Sequence, residues 1–91
     1  MIIENNKKEI KFLKSLGFKK DGFDDGSSFW YTKKIKHFIL GKCLIHVQDF
    51  QGEAIISVDT KDKDENRFYV SITENIPYDR ENLLKVLGFL I

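Results

Sequence analysis

The chain has 91 residues, 42% hydrophobic and 32% charged, with twelve aromatics; that suits one domain spanning 1–91 with a thin core and excludes a disordered chain. Ten lysines against five acids in residues 1–42 leave +5, and five basic residues against nine acids in 43–91 leave −4, for a net +1. Cys43 alone closes no internal disulfide, no apolar run nears the ~20 residues of a membrane span, and the first residues lack the order of a secretory signal, so a cytoplasmic setting without membrane is expected.

The first element reads as a helix. Asn6 followed three residues later by Glu9 forms an Asn-x-x-Glu version of the capping box. Ile10, Leu13 and Leu16, with Phe12 beside them, make an apolar stripe at helical spacing, and Lys7, Lys8, Lys11 and Lys14 fall largely opposite. Gly17 sits where a left-handed residue stops a helix, and Phe18 can fold back on the last turn. Residues 21–28, with Gly22 and Gly26, read as a loop.

Four β-rich runs follow: 29–32, 37–48, 53–59 and 67–74. Gln51-Gly52 and residues 61–66 are polar connections, and such short links imply antiparallel neighbours. A turn at Gly41-Lys42 would split the second run, but the alternation of Ile39, Gly41, Cys43, Ile45 and Val47 favours one strand. Asp79, after Pro77, caps a closing helix of about two turns. There Leu83-Leu84-Lys85-Val86-Leu87-Gly88-Phe89 echoes Phe12 to Phe18, so Gly88 is expected to end this helix as Gly17 ends the first. The fold class is α+β: a two-layer sandwich, α-β-β-β-β-α, with both helices on one face of a four-stranded antiparallel meander.

Strand alternation sorts side chains by face. Ile39, Cys43, Ile45 and Val47, with Ala54, Ile56 and Val58 and with Phe68, Val70 and Ile72, form the expected core. Ser57, Asp59, Ser71 and Thr73 suit a solvated outer face, whereas Trp30, Phe38, Leu40, Leu44, Ile55 and Tyr69 do not. These six are the expected partner-binding residues, since clustered apolar and aromatic side chains on an open face mark interfaces. The competing expectation is that the 21–28 loop or Phe89-Leu90-Ile91 folds over them.

Chemistry-bearing patterns are few. Cys43 and His46 fall on opposite faces of a strand, and His37 lacks a second cysteine, so a zinc site is short of ligands. A calcium loop begun at Asp21 meets Phe23 at its third position, and one begun at Asp62 meets Arg67 where glycine is required. No metal and no cofactor is expected. No nucleophile elbow, phosphate loop or dinucleotide fingerprint occurs, and no small-molecule substrate suggests itself.

The expected function is therefore non-enzymatic: a small protein-binding module of the inhibitor, immunity or accessory-regulator kind, with a protein partner or its own copy as ligand. The alternative is single-stranded nucleic-acid binding, with Lys33, Lys34 and Lys36 holding phosphates beside Phe29, Trp30 and Tyr31.

Overall fold

Two helices, α1 (Lys7–Ser15) and α2 (Arg80–Leu90), lie on one face of an antiparallel sheet. This is the α+β sandwich, helix–strands–helix, seen in a computed structural model that describes residues 2–22, 29–61 and 69–91, with backbone alone at 29, 61, 69 and 70. The strands are β1 (Lys19–Gly22), β2 (Phe29–His37), β3 (Gly41–Phe50), β4 (Glu53–Lys61), β5 (Tyr69–Ser71) and β6 (Ile76–Pro77). They run side by side in the order β1-β2-β3-β4-β5, and β6 joins β4 on the edge that β5 leaves open.

Helix α1 starts because the Asn6 side chain accepts the Glu9 N–H at 3.2 Å. The reciprocal half of the expected capping box does not form. The Asn6 N–H donates to the Ile3 carbonyl, and the Glu9 carboxylate turns inward to α2. Asp49 secures the preceding segment by accepting the Ile3 and Glu4 N–H groups at 2.6 and 2.8 Å. At the other end Gly17 has φ +92°, its N–H reaching the Lys14 carbonyl and the Phe18 N–H the Leu13 carbonyl. That double bond pattern is a Schellman stop, with Phe18 and Leu13 buried together.

The C-terminal echo behaves differently. Asp79 caps α2 as expected, accepting the Asn82 N–H at 2.6 Å. The helix then runs through Gly88 to Leu90, where the sequence suggested a stop after about two turns. Leu83, Leu87 and Leu90 are buried one turn apart, and anchoring Leu90 in the core keeps the last turn helical. The two glycines should therefore respond oppositely to alanine. Gly17→Ala is expected to cost about 1–2 kcal/mol, from left-handed strain and a Cβ only 2.6 Å from Lys33 Nζ. Gly88→Ala, which meets nothing within 4 Å, should gain about 0.5 kcal/mol. Paired thermal melts check the signs.

Besides the short added strand β6, the sheet differs from the expected four-stranded meander in three places. Lys19–Gly22, part of it expected as loop, is an edge strand held by pairing with residues 29–32 of β2; residues 23–28 lie outside the description. Strands β2 and β3 meet at a turn over 38–40, so the single strand expected across Gly41 is two. His37 makes that turn by accepting the Ile39 and Leu40 N–H groups at Nδ1, and Gly41 closes it at φ +78°. Among the described residues the run expected at 67–74 contributes β5 alone, with residues 62–68 outside the description. The Gln51-Gly52 hairpin forms as expected, with both φ values positive as a type I′ turn requires.

Cys43, Ile45 and Val47 of β3 and Ala54, Ile56 and Val58 of β4 meet Leu13, Phe18, Leu83 and Leu87 in the core, as alternation predicts. Ile39 and Ile72 do not. Ile39 is 62% exposed at the turn tip and Ile72 42% exposed just past β5, because strand alternation stops at both points. Phe68 and the Val70 side chain lie outside the description.

Candidate functional site

The face away from the helices is built by the alternate residues of the same strands. Cross-strand register places Trp30, Thr32, Lys34 and Lys36 of β2 beside Lys42, Leu44, His46 and Gln48 of β3, and these beside Ile55, Ser57 and Asp59 of β4. Leu44 lies between Lys34 and Asp59, and Ile55 lies between Gln48 and Pro77. Trp30, Leu44 and Ile55 are half-buried. His46 Nε2 and Asp59 Oδ2 are 2.8 Å apart, a cross-strand hydrogen bond. Both helices and the final Leu90 pack on the opposite face, so the C-terminus does not cover this one.

Of the six residues read as partner-binding, three share this face: Trp30, Leu44 and Ile55. Phe38 and Leu40 do not, because the turn removes them from strand alternation. Phe38 is 90% exposed and stacks on His37, with ring centroids 4.8 Å apart, while Leu40 packs against the core. Tyr69 is in register with Lys61, and its side chain lies outside the description.

The three lysines of the alternative also separate. Lys33 pairs with Ile45, a core residue, so it lies on the helix side of the sheet, where its ammonium donates to the Leu16 carbonyl at 2.6 Å. It caps the carbonyl end of α1, where a cation is favoured. Lys34 and Lys36 stay on the outer face and gain Lys42, directly opposite Lys36. Sequence reasoning missed Lys42, and only the 38–40 turn brings it into the cluster. These lysines are exposed. Like charges directly opposite across strands are unfavourable, and among the described residues no acid pairs with them.

A second surface feature escaped the sequence. Between α2 and the β5–β6 segment lies an apolar recess of about 300 Å³ lined by Val58, Ile72, Ile76, Val86, Phe89 and Leu90. Expecting Gly88 to end the helix hid it, because the continued turn is what carries Phe89 to the rim.

Cys43 is buried, and burial pushes its thiol pKa up, away from the thiolate a nucleophile needs. Cys43 and His46 occupy opposite faces, and among the described residues no three potential metal ligands cluster. No described helix is long and apolar enough to cross a membrane. The buried polar cluster is Glu9, 7% exposed, which accepts from the Tyr78 hydroxyl at 2.7 Å and from Arg80 Nε at 3.0 Å. Burial and the bond to Glu9 raise the Tyr78 pKa, so the hydroxyl stays protonated and donates. The Arg80 guanidinium also lies over the Phe12 ring, 4.3 Å from its centroid. This cluster ties α1 to the start of α2. Among the described residues the outer sheet face thus combines apolar Trp30, Leu44 and Ile55 with the exposed Lys34, Lys36 and Lys42.

The fold is thus an α+β sandwich in which, among the described residues, no helix packs on the outer sheet face, and the 21–28 loop expected as a cover lies largely outside the description. Comparison of the chain with protein-family models, curated proteins and solved structures finds no match.

Proposed function

We propose that this is a small non-enzymatic protein-binding module of a reducing, cytoplasmic setting, acting through the outer face of its sheet. One observation carries the reading: Trp30, Leu44 and Ile55 share a helix-free face with Thr32, Lys34, Lys36, Lys42 and His46. Protein interfaces use this mixture, an aromatic and aliphatic centre within a polar surround, rather than uniform apolarity. The free buried Cys43 fits a reducing compartment. Inhibitors, immunity-type proteins and accessory regulators work by such surfaces without chemistry of their own.

Single-stranded nucleic acid is the second reading, favoured by Trp30 sharing the face with Lys34, Lys36 and Lys42. Loss of Lys33 to the helix end weakens it. So do the acids Asp21, Glu53 and Asp59 on the same face.

Leu44→Asp and Ile55→Asp test the assignment. Both sites are half-buried on the open face, so each variant should fold, costing about 1 kcal/mol or less. Each should abolish partner capture or self-association, because a carboxylate in a desolvated interface is costly. Phe89→Asp, at the recess rim, should leave association intact. If Phe89→Asp alone abolishes it in light scattering and affinity capture, the interface lies on the α2 side and the sheet-face reading is wrong.

A further inference from the structure

Strand β1 pairs with β2 only over Phe29 to Thr32, so Lys33–His37 of β2 has no strand beside it on that edge among the described residues. We infer that this open edge of β2 binds an extended acidic segment of a partner protein, which adds to the sheet as a strand continuing the line of β1. The inference rests on the protein-binding reading and specifies its partner.

An edge strand offers backbone N–H and C=O groups to any extended chain, so affinity comes from the backbone and specificity from alternate side chains. Here the alternation has a definite chemistry. On the outer face an added strand lies beside Lys34 and Lys36, with Lys42 next across the sheet. On the helix side it lies beside Ile35, which packs against the core, and Lys33, whose ammonium is engaged by Leu16. The matching segment therefore alternates acidic and apolar residues, acids toward the lysines and apolar side chains toward Ile35. Beside Lys19, where β1 begins, a recess of about 290 Å³ lined by Gly17, Lys19, Thr32, Lys33 and Lys34 marks the step that such a strand would enter.

Charge selects among occupants. A second copy pairing through the same edge would set lysines against lysines, which guards the edge against self-assembly. An acidic strand instead relieves the repulsion between Lys36 and Lys42. Nucleic acid would neutralise the lysines too, but it cannot extend the backbone ladder.

The test uses the full chain and a fluorescent peptide of about nine residues alternating Glu and Val, with a Pro-for-Val version as a strand-incompetent control and an oligothymidine of equal charge. The alternating peptide should bind, and hydrogen exchange should slow at amides within Lys33–His37. Binding should weaken several-fold between about 50 and about 300 mM salt. Lys34→Glu combined with Lys36→Glu, both exposed, should keep the circular dichroism of the parent and bind at least about tenfold more weakly. The proposal is overturned if the proline peptide binds equally well, if protection appears elsewhere, if oligothymidine binds more tightly, or if no peptide binding is seen. Should Leu44→Asp lose the natural partner while the double lysine variant keeps it, the sheet-face function stands and the edge inference falls.

Discussion

Ile56→Asp is expected to leave the chain without a cooperative thermal transition at 25 °C, the largest effect of any single change proposed for it. Ile56 is fully buried in β4, in register with Val47 of β3 and Ile76 of β6. Losing its side chain from the core removes about 1.5–3 kcal/mol of burial. The new carboxylate, ionised or neutral, would have no partner there and adds several kcal/mol more. A domain of this size holds only roughly 5–9 kcal/mol in total. Ile56→Val is the control and should cost about 1 kcal/mol with the transition intact. Circular dichroism and thermal melts on both, beside Leu44→Asp, measure the contrast between the two faces. A cooperative melt for Ile56→Asp near that of the parent would show that this face of β4 is not the core.

Glu9→Ala should be the next most damaging change, at about 2–3 kcal/mol, because it leaves the buried Tyr78 hydroxyl without its acceptor. Its loss also unties α1 from the start of α2. Glu9→Gln keeps an acceptor and should fall between the two. The pH dependence separates charge from shape. Burial alone would raise the Glu9 pKa, but the hydrogen bonds from Arg80 and Tyr78 and the Arg80 charge outweigh it, so the folded value lies below the ordinary 4.5. A carboxylate with a depressed folded pKa contributes stability that is fully present above its unfolded pKa and is lost as pH falls through the folded value. The gap between parent and Glu9→Gln should thus be constant near neutrality and narrow from about pH 4.5 downward. Denaturant melts at several pH values read it directly, and a gap that widens on acidification would reverse the assigned direction.

Legibility in the sequence followed distance along the chain. The Asn6 and Asp79 caps, the Gly17 stop and the Gln51-Gly52 turn were all readable. Each is made of hydrogen bonds and backbone angles spanning a few residues, so a short window of sequence contains its whole cause. The alternation of Cys43, Ile45 and Val47, and of Ala54, Ile56 and Val58, likewise assigned the core face of the central strands. It put Leu44 and Ile55 on the other face for the same reason.

What failed were inferences whose cause lies far away in the chain. Strand β1 carries no apolar alternation and exists by pairing with β2. Gly88 stands in the same local phrase as Gly17, yet it stays helical because Leu90 finds a place in the core. Glu9 read as a local cap and is instead held by residues 69 and 71 positions later. Lys33 read as part of a basic cluster and instead caps α1. The turn over 38–40 moved Phe38 and Leu40 off the face and set Lys42 directly opposite Lys36. By itself, then, the sequence determined an α+β domain, its local stops and turns, and which face of β3 and β4 is buried. Only the tertiary structure decided which charged side chains are committed to holding the helices and which remain on the open face and edge. A lysine or glutamate has no intrinsic preference strong enough to settle that, and its place is set by the carbonyls, hydroxyls and guanidinium that packing brings within reach.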